Sequence, residues 1–297
     1  MSQFHLPQDL ESVSPSEFAR FRGFLASHTI TETEIGGAAV SYSVSGQGEK
    51  ALLTFAGGWG GIEILYETVL GFETLNRVVV IDISPFGDPN EMVDAIDHIL
   101  GREGLEKVVV VGQSLAGILA QLYFRRRSER VLGLVLTNTL SPRPERCRRW
   151  PLLLFKCLPM SLIRSLVLRK MARIERLTEE IPPSVEMRRR FARALLLPSV
   201  EHAFTRKRIE RILRLAWHFN LEGPYGPREF SDWAGQVLLV TSEDDPYHED
   251  AKTLASTLPA TELFELPSGF GHVAPQIHLE QFHAGIQVFV ERLPGCH

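Results

Sequence analysis

"VVVVGQSLAGILAQ", residues 108 to 121, decides the fold. Four successive valines have no polar alternation, as expected for a central strand covered on both faces. Gly112 and Gln113 follow, then Ser114, and then apolar residues that continue as a helix. A serine squeezed between a strand and a helix must occupy a sharp, strained turn that lifts its hydroxyl above the sheet edge. That turn crowds the positions two before and two after the serine, so both must be small, and Gly112 and Ala116 are, with Gly117 next. The helix N-terminus behind the serine also leaves backbone N–H groups free for a developing anion. Ser114 is the candidate nucleophile.

Working outward, "RVVVID" (77–82) and "VLGLVLTN" (131–138) are further buried strands. "PNEMVDAIDHILGREG" (89–104) carries apolar residues at helical spacing and stops at glycine. "PSEFARFRGFLASH" (15–28) reads as a short helix. "AAVSYSVSG" and "ALLTFA" read as two strands joined by a tight "QGEK" connection. After about eighty residues without strand signals, "QVLLVTSEDD" (236–245) and "TELFELP" (261–267) restore them, and a final helix is expected from Leu279 to Arg292. Strand and helix alternate, which predicts an α/β fold: a mostly parallel central sheet with helices on both faces.

A nucleophilic serine needs a base, and the base needs an orienting acid. "SEDDP" (242–246) follows a returning strand and "PSGFGHVAP" (267–275) lies beyond it, giving the order Ser, acid, His. His272 is the preferred base, since His278 and His283 fall in or near the last helix and His248 lies in the acidic loop. Asp245 is the preferred acid and Asp244 the alternative. The glycine-rich stretch "FAGGWGG" (55–61) lacks the lysine of a phosphate-binding loop, and Glu63 stands where a dinucleotide fingerprint needs its last glycine. It follows a strand that precedes the nucleophile strand, where a hydrolase needs a second backbone donor. The N–H of Gly58 or Trp59, paired with that of Leu115, is the candidate oxyanion hole.

The chain has 297 residues, 44% hydrophobic and 23% charged, ordinary for a soluble globular protein. Its net charge of −4 hides an asymmetry: from Ser141 to His218, 19 Lys/Arg stand against 7 Asp/Glu, while the rest carries 13 against 29. That basic stretch, with about four Arg-rich amphipathic helices expected in it, reads as a unit inserted in the core. No secretory signal is expected at the N-terminus, and "WPLLLFKCLPMSLI" (150–163), broken by Lys156 and prolines, is too short to span a bilayer. Three cysteines without C-x-x-C spacing argue against a disulfide framework or zinc site. A cytoplasmic location, no cofactor and no metal are the expectations. Nucleic acid is not expected as a partner, because no base-reading motif accompanies the charge.

"GQSLAG", "FAGGWGG", "SEDDP", "GFGH" and the helical insertion after "VLGLVLTN" together resemble the α/β-hydrolase superfamily over nearly the full chain. The resemblance implies a core of residues 1–140 and 223–297, and an inserted cap of residues 141–222 over an active site. It further implies catalysis by Ser114, His272 and Asp245, with Gly58, Trp59 and Leu115 as oxyanion hole, acting on a carboxylic ester or related acyl bond. Beneath such a cap, Trp217, Leu166 and Phe155 are the expected lining of a site for a small, apolar acyl substrate. The basic cap face offers peripheral contact with an anionic membrane or an acidic partner. "FARFRGFL" and "QIHLEQFHAG" are similar, more weakly, to the maspardins, binding proteins on this fold with an incomplete triad. That likeness implies the rival reading of a catalytically silent adaptor. Hydrolysis of a C–C bond on the same three residues is the alternative within enzymes.

Overall fold

The computed structural model describes residues 9–56, 58, 60–147, 157–175, 177–203, 205–226 and 229–295. Eight strands form one sheet: β1 (Ile30–Ile35), β2 (Ala38–Ser45), β3 (Ala51–Ala56), β4 (Arg77–Asp82), β5 (Val108–Gln113), β6 (Val131–Thr137), β7 (Gln236–Thr241) and β8 (Thr261–Glu265). Their order is β1-β2-β4-β3-β5-β6-β7-β8. β1 and β2 run antiparallel to their neighbours, and every pairing from β4 to β8 is parallel.

Eleven α-helices lie in the described residues: α1 (Leu10–Val13), α2 (Pro15–Ser27), α3 (Tyr66–Phe72), α4 (Pro89–Arg102), α5 (Leu115–Arg127), α6 (Met160–Ile174), α7 (Pro183–Ala203), α8 (Arg206–Leu221), α9 (His248–Thr257), α10 (Ala274–Ile277) and α11 (Leu279–Arg292). Their starts follow from local chemistry. Ser14 accepts from the Glu17 amide ahead of Pro15 at the first turn of α2. Asp88 accepts from the Asn90 amide at 2.8 Å ahead of Pro89 in α4. In each case a short polar cap satisfies an orphan N–H, and proline occupies a position that needs none.

The uninterrupted valines of the parallel strands are explained by two core clusters, one on each face. Leu53, Val79, Ile81, Val110, Leu134 and Leu239 meet α4 and α5 through residues such as Met92, Ile96 and Tyr123. Their neighbours Leu52, Val78, Val80, Val109, Val135 and Leu238 turn the other way, against Phe21, Phe72, Phe282 and Phe289 of α2, α3 and α11. With both faces covered, every strand position is selected for burial and alternation disappears.

The strands 38–45 and 51–56 are joined by the short connection expected of them, and β4 lies between them in the sheet. The connection presses against the chain entering β4: a Cβ on Gly48 would stand 1.9 Å from the Leu75 carbonyl oxygen. β1 was unread. It is an edge strand with partly exposed residues, held to β2 across a Gly36–Gly37 turn with φ of +58° and +77°.

Between β6 and β7 the described residues contain three α-helices, α6 to α8. α7 sends Phe191 and Leu195 into one core cluster, and α8 sends Leu215 and Phe219 into the other. α6 reaches neither; its Ile163 meets Ile209 of α8 in a small separate cluster. Among the described helices of this segment α6 alone stays off both core clusters, and it passes beside the turn that carries His272. None of the helices among the described residues is long and apolar enough to cross a membrane.

Candidate active site

β5 ends in Gly112 and Gln113, and α5 begins at Leu115, leaving Ser114 alone in the turn with φ 53° and ψ −116°. A non-glycine residue held there costs of order 1–3 kcal/mol, so its surroundings must enforce it. They do so by close approach: a Cβ on Gly112 would stand 2.4 Å from the Ala116 carbonyl oxygen, and one on Gly117 would stand 2.5 Å from Thr139 Oγ1. The Ser114 amide donates to the Thr137 carbonyl at 2.9 Å. The Thr139 hydroxyl donates to the Ser114 carbonyl at 2.7 Å. The end of β6 thus braces the turn from both sides.

Ser114 Oγ lies 3.0 Å from His272 Nε2, and His272 Nδ1 lies 2.8 Å from Asp245 Oδ2. The three side chains come from the ends of β5, β7 and β8, adjacent in the parallel part of the sheet apart from the intervening β6. Asp245 and His272 are both buried. The second Asp245 oxygen accepts from the Tyr247 amide at 2.6 Å, which fixes the carboxylate plane. The Tyr247 ring stands edge-on to the imidazole, with centroids 5.3 Å apart.

Asp244 has a different task. Its Oδ2 accepts from the amides of Gly269 and Gly271 at 3.0 and 2.8 Å, so it shapes the loop before His272. Asn138 donates to the His272 carbonyl, and Ser242 donates to the Gly271 carbonyl. Two adjacent aspartates, indistinguishable in sequence, are therefore divided between the imidazole and the backbone that carries it.

The glycine loop faces this arrangement. A Cβ on Gly58 would stand 2.8 Å from Leu115 Cδ2, so the loop backbone lies against the first residue of α5. The amides of a first helical turn have no acceptor within their helix and remain available there. Trp59 falls outside the described residues, as does Phe155. Glu63 is buried just beyond the loop, its Oε2 over Gly61, where a Cβ would stand 2.3 Å away. Burial pushes the Glu63 carboxyl above its usual range, and the Asp82 charge pushes it further.

Sequence reasoning missed the cation beside Asp82. Arg208, from α8, donates through Nη2 to the Gly60 carbonyl at 2.7 Å and lies 3.9 Å from Asp82 Oδ2. It was one of many arginines on a basic helix, and only the tertiary fold singles it out. Leu166 sits elsewhere than expected: it is 49% exposed on α6, so it faces solvent and does not line an enclosed site. Trp217 is half-buried on α8, edge-on to His218, with its carbonyl 3.5 Å from Cys147 Sγ. Among the described residues no group of His, Cys, Asp and Glu is arranged to hold a metal ion.

A mostly parallel sheet carrying a serine on a strained strand-to-helix turn, with histidine and aspartate from later strand ends, defines the α/β-hydrolase class. The chain belongs to the alpha/beta hydrolase family, whose model matches residues 13–284. Three solved structures share the fold. A thermophilic esterase from Thermogutta terrifontis is 20% identical with a TM-score of 0.63, over 90% of this chain and 98% of that one. The enol-lactonase from Burkholderia xenovorans is 13% identical with a TM-score of 0.65, over 88% and 100%. A meta-cleavage product hydrolase from Pseudomonas fluorescens is 18% identical with a TM-score of 0.59, over 88% and 97%. No curated protein matches the chain, and the likeness to the maspardins finds no support there.

Proposed function

We propose that this protein is a serine hydrolase that cleaves a carboxylic ester or related acyl bond through an acyl-enzyme. The observation that carries the reading is the continuous contact from Ser114 through His272 to Asp245, at 3.0 and 2.8 Å. His272 Nε2 takes the hydroxyl proton as Ser114 Oγ attacks the carbonyl carbon. Asp245 holds the imidazole in the required tautomer and stabilises the imidazolium. The oxyanion is received by the amides of Leu115 and of Gly58 or Trp59. The tetrahedral intermediate collapses, His272 returns the proton to the leaving alcohol, and water repeats the cycle to release the acid. The helical segment of residues 141–222 serves as a cap, and Arg208 joins it to the oxyanion loop. Trp217 and Phe155 are the cap residues proposed to meet the acyl chain. The spacing of the three cysteines in the sequence supports a cytoplasmic location.

The test is steady-state hydrolysis of a series of p-nitrophenyl esters of increasing acyl length by wild type, Ser114→Ala and His272→Ala. Loss of kcat on the order of 10⁴-fold or more in both variants is expected, because the residues act as a unit. Turnover retained by Ser114→Ala would reject the mechanism. An inert but folded wild type would leave the adaptor reading in its place.

A further inference from the structure

The basic excess of residues 141–218 is not distributed evenly once the ion pairs are considered. On α7, Arg188 pairs with Glu280, Arg189 and Arg190 with Glu186, and Arg193 with Glu175. α6 differs. Its sequence, MSLIRSLVLRKMARI, contains no acidic residue. Arg169, Lys170 and Arg173 are exposed, and none has an ion-pair partner among the described residues.

Spacing places these cations in register with apolar side chains. Leu162, Leu166, Arg169 and Arg173 stand at i, i+4, i+7 and i+11, which is one stripe of a helix, and Lys170 flanks it. Leu162 is 44% exposed and Leu166 49% exposed. The opposite side of the helix is the one that packs, through Ile163 with Val167 and Met171 beside it. An aqueous surface gains nothing from two half-exposed leucines. A surface that is anionic at its boundary and apolar just beneath it matches both halves of the stripe.

We propose that α6 is a docking face for an anionic phospholipid bilayer, with Leu162 and Leu166 entering the interface while Arg169, Lys170 and Arg173 meet the headgroup phosphates. Its place in the fold fits this task. Of the described helices of its segment α6 alone stays off both core clusters, and it passes beside the His272 turn, so docking brings the membrane to the side of the molecule that holds the site. The purpose of docking rests on the hydrolase reading: an acyl ester would be drawn from the membrane. The docking itself does not depend on that reading.

The experiment is vesicle flotation of full-length protein carrying Ser114→Ala, so that turnover does not alter the lipid. Vesicles of phosphatidylcholine alone are compared with equimolar phosphatidylcholine and phosphatidylserine. Each cation at an anionic leaflet strengthens binding roughly fivefold, so Arg169→Gln/Arg173→Gln should weaken it about 25-fold. Arg189→Gln/Arg190→Gln removes the same charge from paired positions and should change it far less. Leu162→Ser should weaken it severalfold, and raised salt should weaken it in every protein that binds. Thermal melts confirm that each variant is folded.

Absence of flotation with the anionic vesicles overturns the proposal, as does an equal loss from the two arginine pairs. Binding to soluble polyglutamate as tight as to vesicles, and indifferent to Leu162→Ser, overturns it in favour of an acidic protein partner. A separate ester assay on the wild type keeps the two readings apart. Flotation without turnover sinks only the hydrolase reading, and turnover without flotation sinks only the docking.

Discussion

Replacing Arg208 by alanine tests whether α8 holds the glycine loop in its working shape. The guanidinium donates to the Gly60 carbonyl at 2.7 Å and lies 3.9 Å from Asp82, with its side chain 14% exposed. Burial draws its pKa down and Asp82 draws it back up. A charge-assisted hydrogen bond of this kind contributes about 1.5–3 kcal/mol, and its loss also takes the cation away from Asp82. Gly60 is two residues from Gly58, so a slack loop misplaces the proposed oxyanion donor without deleting it. Deletion of such a donor costs roughly 10²–10³ in kcat. Misplacement should cost about 10–100-fold, which is ~1.4–2.7 kcal/mol of transition-state stabilisation. The assay is steady-state hydrolysis of a short p-nitrophenyl ester alongside urea unfolding. kcat should fall with KM changed by no more than about threefold, because the loop acts on the transition state. Arg208→Lys should recover part of the loss. Unchanged kcat, or a loss seen only in KM, would refute the reasoning.

Other substitutions separate roles that lie side by side. Asp245→Asn should cost on the order of 10⁴-fold in kcat by presenting the wrong histidine tautomer, whereas Asp244→Asn should cost roughly tenfold by loosening the loop amides; similar losses in a kinetic comparison would contradict the division. Gly112→Ala should destabilise the fold by about 3 kcal/mol, since its Cβ meets backbone at 2.4 Å, and a urea midpoint equal to wild type would be the wrong outcome. Burial lowers the His283 pKa to about 4. The unfolded chain takes that proton near 6.5, so stability from this group is full above about pH 6.5 and is lost as pH falls toward 4. His283→Leu should therefore lose about 2 kcal/mol less than wild type between pH 7 and pH 5, measured by urea unfolding at both.

The turn at Ser114 was legible because a strand-to-helix junction tolerates so few residues around its centre. Gly112, Ala116 and Gly117 are small for steric reasons that operate within six residues of sequence. The buried strands were legible for a related reason, as coverage on both faces leaves a run of β-branched residues that few other environments produce. β1 was not, because an edge strand with exposed glutamates looks like a loop to any hydrophobicity pattern. Nor could the sequence reveal that β4 inserts between β2 and β3, since pairing is a long-range choice and the connection length permits either. The two aspartates at 244 and 245 illustrate the limit at the site. Both are adjacent to the right strand, and only the path of the loop, turned by the backbone hydrogen bonds of Gly269 and Gly271, decides which carboxylate meets His272. Arg208 and Leu166 show the same limit in the basic helices, where amphipathic spacing gives the faces and tertiary packing decides which face meets what.

Intact mass after incubation with a small fluorophosphonate, run beside Ser114→Ala, tests the central claim most directly. The account predicts one covalent adduct on the wild type, formed by Ser114 Oγ displacing fluoride at phosphorus, and none on the variant. A wild type that stays unlabelled while folded, or an adduct that persists in Ser114→Ala, would contradict it.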